Sequence, residues 1–410
     1  MKTYRILLFA MLLTAGVIAK AQEVTKDVFT REDARNTLVK ADQQLRYLLL
    51  QTVELRRTEK DKRKLMPRSV ENNGSLRLVG IGDWCSGFFP GELWQIWQFT
   101  QDQFWREQAV SNTWKLEELK WDNSSHDLGF MVYNSFGKAY ELTGEQSYKD
   151  VVIQAAKTLA TRYDERVGCI RSWNWGTPER WQYAVIIDNM MNLELLFQAS
   201  LLTGDRSYYD MAVSHADQTL RNHFREDGSS YHVVDYNPQN GIVIKRITHQ
   251  GSADESVWSR GQAWGLYGFT MSYRYTRDVR YLEQAKKIAT FLITQTDMPG
   301  DMIPYWDMKD PDIAKHKEKV PRDASAAAIM ASALYELASY VEGAEGTLYR
   351  QWADGMMHSL STAYMPALGE AQGFLLLHST GNLPANDEID VPIAYADYYF
   401  LEALIRKLVY

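Results

Sequence analysis

The sequence predicts an all-α chain closed into an (α/α)6 barrel, six inner and six outer helices in one domain, and three observations carry that expectation. A helix-turn-helix joint recurs along the chain. The helix entering each joint is apolar over most of its surface, whereas the helix leaving it is amphipathic, with charges at about 3.6-residue spacing. Equal numbers of the two kinds, joined consecutively, pack best as a closed ring, because an open stack would expose an apolar inner face at each end.

Residues 31–57 read as the first outer helix. Five joints follow, at "WQFTQDQFWREQAV" (97–110), "YELTGEQSYKDVVIQAAKTLATRY" (140–163), "QASLLTGDRSYYDMAVSHADQTL" (198–220), "YRYTRDVRYLEQAKKIATFLI" (273–293) and "LASYVEGAEGTLYRQWADGMM" (337–357). Each is a helix end, a short polar turn, an aromatic and a second helix. "VPIAYADYYFLEALIRKL" (391–408) completes the inner set. The main departure from helix is "YHVVDYNPQNGIVIKRI" (231–247), whose alternation around Asn-Gly predicts a hairpin. The mixed-charge run "RRTEKDKRK" (56–64) reads as a solvated helix end, not as a polyanion-docking patch.

Residues 1–21 stand apart. Lys2 and Arg5, an apolar stretch of about a dozen residues and the small pair Ala19 and Ala21 predict a secretory signal cleaved after Ala21, leaving a single domain over 22–410. The stretch is well short of the ~20 residues of a spanning helix, and no cysteine follows it to take a lipid. A periplasmic or secreted monomer is expected. Cleavage removes Lys2, Arg5 and Lys20 and no acid, taking the formal charge from −7 to −10, which disfavours nucleic acid or an anionic membrane as partner. An acidic ligand therefore needs a local cation. Cys85 and Cys169 leave one disulfide open. Zinc-type spacings, phosphate-binding glycine loops, G-x-S-x-G and dinucleotide fingerprints are all missing, so no metal or cofactor is expected.

Polar residues gather at the starts of the inner helices: His126 and Asp127, Asp188 and Asn189, "SADESVWSRGQAW", Arg322 and Asp323, Glu388 and Asp390. The barrel would bring them to one rim. A lone aspartate at such a place caps backbone N–H groups. Capping does not account for Trp84, Trp173, Trp175, Trp181, Trp258 and Trp264 in the same connections, and indole faces beside carboxylates suit a sugar site. Asp188 lies between "AVII" and "MM", drier surroundings than those of Asp127, which marks Asp188 as the proton donor of the pair.

"HDLGF" (126–130), "IDNMMNLELL" (187–196), "SRGQAWGLYGF" (259–269) and "EIDVPIAYADYYFLEAL" (388–404) resemble the unsaturated glucuronyl hydrolases, glycoside hydrolase family 88, from about residue 80 onward. The resemblance implies an (α/α)6 barrel acting, without metal, on oligosaccharides that end in a 4,5-unsaturated uronate, by hydration of the double bond. It implies that Asp188 is the general acid and base and Asp127 the second essential carboxylate. It further implies that Trp84, His126, Trp173, His232, Gln250, Arg260 and Trp264 bind substrate, with Arg260 and Trp264 side by side over the sugar; the other reading of Arg260 is a surface ion pair. "LLHSTGNLP" (376–384) would meet the next sugar or its sulfate through Ser379 and Thr380, with no Lys or Arg in the stretch.

Other functions share this barrel. "HDLGF" and "SRGQAWGLYGF" favour the glucuronyl over the unsaturated rhamnogalacturonyl hydrolases. Sugar epimerases of this fold work through histidines, whereas this rim is led by carboxylates. The presence of both Asp127 and Asp188 argues against a non-catalytic sugar-binding barrel.

Overall fold

The computed structural model describes residues 28–410, so the leader and its cleavage site lie outside the described residues. Outer and inner helices alternate along the chain as expected. The outer helices are α1 (Arg31–Thr58), α3 (Gln103–Thr113), α5 (Gln146–Ala160), α7 (Arg206–Asn222), α9 (Val279–Ile293) and α11 (Gly343–Ala363). The inner ones are α2 (Phe88–Thr100), a π-helical segment (Gly129–Gly137) running into α4 (Lys138–Thr143), α6 (Asn189–Thr203), α8 (Ser259–Thr276), α10 (Ala324–Tyr340) and α12 (Ala394–Val409). Each inner helix packs on the next, and α12 packs back on α2, closing the ring.

All five joints are two-residue turns from an inner helix to the following outer one. Four begin with a residue in the left-handed region, Gln101, Gly144, Gly204 or Arg277, which stops the inner helix and turns the chain back. In three, the next residue is an aspartate (Asp102, Asp205, Asp278) whose carboxylate accepts a backbone N–H of the outer helix.

Near these turns a buried ionic network ties the inner helices together. Arg274 on α8 donates to both oxygens of Glu336 on α10 at 2.6 and 2.8 Å and pairs with Glu194 on α6, while Arg406 on α12 reaches Glu336 at 3.0 Å. Removing one partner of such a network would strand a buried charge.

The long connections lie at the opposite end. The expected hairpin is present as β4 (Val233–Tyr236) with β5 (Val243–Ile247), and β3 (Ala184–Ile186) adds to its other edge. A second hairpin, β1 (Lys64–Val70) with β2 (Leu76–Gly80), was not expected. Pro67 and two register shifts break the period-2 signal there. Cys85 and Cys169 are buried and free, so they do not form a disulfide. No helix among the described residues is long and apolar enough to cross a membrane.

Candidate active site

Asp127 stands where the π-helical segment begins, and its carbonyl accepts the N–H of Met131 at 2.9 Å. Gly129 explains the "LGF" beside it: a Cβ there would lie 2.6 Å from the Cα of Asn192 on α6, so only glycine lets the two inner helices approach. Asn192 Oδ1 then accepts the N–H of Phe130 at 3.1 Å, fixing the segment that carries Asp127 against the helix that follows Asp188. The Asp127 carboxylate caps nothing. It accepts the Ser125 hydroxyl and lies 3.2 Å from Nε2 of His126, whose ring is buried and held toward the neutral form by desolvation.

Asp188 follows β3 directly. The register Ile186↔Val233 in the β3–β4 pair sets His232, the residue before β4, beside it, with Nε2 of His232 3.9 Å from Asp188 Oδ2. Nδ1 of His232 accepts the backbone N–H groups of His249 and Gln250, both at 3.1 Å. An imidazole nitrogen that accepts carries no proton, so His232 is neutral with its proton on Nε2, turned toward Asp188. Burial lowers its pKa far below the usual value, in the same direction. The Asp188 side chain caps no backbone group, and its Oδ2 has no partner at hydrogen-bond geometry.

Burial raises the Asp188 pKa from the usual 3.8 to about 7. The charge of Arg260 opposes the rise, the Asp127 charge adds to it, and the Trp264 indole N–H, facing the carboxyl, opposes it weakly. A carboxyl protonated near neutrality stands beside a second carboxylate, the arrangement expected for one group to give a proton and take another back.

Indoles pack around the site. Trp84 stacks on Tyr395 at 5.0 Å. On the hairpin side Trp173 meets His232 edge-on at 6.2 Å and stacks on Trp175 at 4.9 Å. Gln250 Nε2 donates to the Gly381 carbonyl at 3.2 Å, tying the hairpin side to the 378–391 loop.

Two expectations need correction, those for Trp264 and for Ser379 with Thr380, and the alternative reading of Arg260 falls as well. Arg260 is no surface ion pair: it is 1% exposed, lies between the rings of Trp258 (4.6 Å) and Tyr395 (5.2 Å), and donates to Asp323 Oδ2 (2.8 Å), Thr380 O (2.6 Å) and Gly381 O. Its hydrogen bonds hold the 378–391 loop, and its charge bears on Asp188. Trp264 is no platform, because its ring is packed against Phe130 and Tyr399 and only its N–H addresses the site. Ser379 is fully buried, its backbone paired with Val391, and the Thr380 hydroxyl donates to the Arg322 carbonyl, so neither is an exposed hydroxyl for a second sugar.

The remaining rim carboxylates are committed. Asp323 does cap α10, at Ser325 N and Ala326 N, Glu388 accepts two bonds from Arg68 at 2.7 and 2.8 Å, and Asp390 pairs with His378 at 2.7 Å. Asp127 and Asp188 neither cap a helix nor pair with an arginine. The sequence reading passed over Tyr395, whose buried hydroxyl has no partner at hydrogen-bond geometry. It is the first aromatic of the last inner helix, and Trp84 on the facing connection was the signal for it. Among the described residues no group of three His, Cys, Asp or Glu side chains is placed to hold a metal ion.

Comparison with known proteins agrees with this geometry. Residues 59–336 match the family described as Glycosyl Hydrolase Family 88. The chain is 48% identical to the unsaturated glucuronyl hydrolase of Formosa agariphila over 81% of its length and 82% of that protein's. It is 32% identical to an unsaturated chondroitin disaccharide hydrolase of Streptococcus pneumoniae, covering 79% of this chain and 81% of that one. The crystal structure of an unsaturated glucuronyl hydrolase specific for heparin superposes with a TM-score of 0.84 at 42% identity, over 91% of this chain and 96% of that one. With the barrel, the paired aspartates and these matches in agreement, the chain belongs to glycosyl hydrolase family 88.

Proposed function

We propose that this enzyme removes the 4,5-unsaturated uronic acid from the non-reducing end of glycosaminoglycan-type oligosaccharides produced by polysaccharide lyases. The observation that carries the reading is the Asp188 carboxyl, raised to about 7 and set beside Asp127 and a neutral His232. Protonated Asp188 gives its proton to C4, and the ring oxygen shares the positive charge that develops at C5. The Asp188 carboxylate then takes a proton from the water that adds to C5, which returns Asp188 to its starting state. The product is a hemiketal at C5. Its ring opens to a C5 ketone, and the freed hemiacetal at C1 releases the remaining sugar. Asp127 holds the ring hydroxyls and helps keep the Asp188 proton in place.

Relatives named for unsaturated glucuronyl and unsaturated chondroitin disaccharide substrates support the substrate class. The leader-like residues 1–21 support action in the periplasm or outside the cell. The test is to incubate the purified protein with a panel of unsaturated disaccharides and follow the ultraviolet absorbance of the double bond. Loss of absorbance with release of the second sugar is expected; a panel left untouched overturns the function.

A further inference from the structure

Beside the tryptophan cluster the rim holds an exposed cation that no carboxylate answers. Arg68, Arg77, Arg225, Arg260 and Arg322 on this side of the barrel each pair with an acid. Arg180 is exposed, and among the described residues no Asp or Glu lies within ion-pair distance of it. Its guanidinium lies over Trp181 at 4.4 Å and over Trp175 at 5.3 Å. NH2 is 3.0 Å from Nδ1 of His249, and since arginine can only donate, that nitrogen accepts. The group is therefore held in place without being neutralised, in a chain whose formal charge is negative.

Its position relative to the chemistry follows from a short chain of contacts. The backbone N–H of His249 donates to Nδ1 of His232 at 3.1 Å, and Nε2 of His232 is 3.9 Å from Asp188 Oδ2. Trp173 packs against both histidines and stacks on Trp175, which is 44% exposed. A sugar whose C4 lies at Asp188 thus has, on the His232 side, first the edge of the Trp173–Trp175 stack and then a guanidinium. The exposed part of the Trp175 indole offers a sugar an apolar contact, and a planar guanidinium takes an oxyanion.

We propose that Trp175 and Arg180 form the subsite for the leaving sugar and that Arg180 recognises a sulfate ester on it. The inference rests on the function proposed above. In a glycosaminoglycan disaccharide the uronate already accounts for the carboxylate, so the anionic substituent open to the leaving amino sugar is sulfate. The 376–384 stretch offers no Lys or Arg for this, and its Ser379 and Thr380 hydroxyls are turned inward.

The test compares Arg180→Ala, Arg180→Lys and the parent on a sulfated unsaturated disaccharide and its unsulfated counterpart. Alanine should lower the ratio of kcat/KM, sulfated over unsulfated, by about tenfold, an effect of ~1.4 kcal/mol, carried by KM and shrinking as salt is added. Lysine should restore part of it. Equal losses on both sugars, or an unchanged ratio, overturn the subsite, as does a parent that rejects the sulfated sugar. A parent inactive on every unsaturated disaccharide refutes the function itself, and the subsite with it; an active parent whose preference survives in Arg180→Ala refutes the subsite alone.

Discussion

Replacing Asp188 by asparagine should make this enzyme more stable at alkaline pH while nearly abolishing its activity. Burial carries the carboxyl from 3.8 to about 7, so between those values the folded chain keeps a proton that the unfolded chain releases. Because the folded pKa is the raised one, the contribution is fully present below about pH 4 and is lost as pH rises through about 7. At 1.36 kcal/mol per pKa unit the whole difference is about 4 kcal/mol. The portion that falls between pH 5 and pH 8 is about 2.5 kcal/mol. Asparagine has the same shape and does not titrate, so Asp188→Asn should gain on the parent by that amount over that interval. Glu92 and Asp397, whose pKa values burial also raises, are common to both proteins and cancel in the comparison. Urea unfolding of both proteins at pH 5 and pH 8 gives the stability difference, and loss of the double-bond absorbance gives the rate, which should fall by on the order of 10²-fold or more. A stability difference that does not change with pH, or a variant that keeps its rate, would refute the assignment of Asp188 as a buried acid.

In the parent, kcat/KM should fall about tenfold per pH unit above 7 as Asp188 loses its proton; a rate still rising through pH 8 would place the proton elsewhere. Arg260→Lys should cost about 2–4 kcal/mol of stability, because one ammonium cannot serve Asp323 and two carbonyls together, and the specificity constant should drop by about tenfold or more; parental values for both would show that the guanidinium is dispensable. Thiol reagents should leave the folded protein unmodified and reductant should leave its melting unchanged, since Cys85 and Cys169 are free, buried and pushed toward the thiol form. Chelator should not change the rate on unsaturated disaccharides, and full dependence on an added divalent ion would sink the proposed chemistry.

The sequence by itself determined the architecture and singled out the two aspartates on which the proposed function rests. Helical joints recur with their own stop and start signals, an inner-helix end followed by an N-capping aspartate, and such signals are local, so they are readable without coordinates. The dryness of Asp188 was likewise written in its neighbours, Ile186, Ile187, Met190 and Met191, all of which are buried. The β1–β2 hairpin was not legible, because bulges and Pro67 erase the alternation on which a strand is read. Nor were the fates of the rim residues. Asp323 and Glu388 look as available as Asp127 along the chain, yet each is taken by an arginine 63 or 320 residues away in sequence. Only the closed ring brings such partners within a few ångströms, and that contact separates Arg260, whose donors serve Asp323 and a loop, from Arg180, whose charge no acid meets.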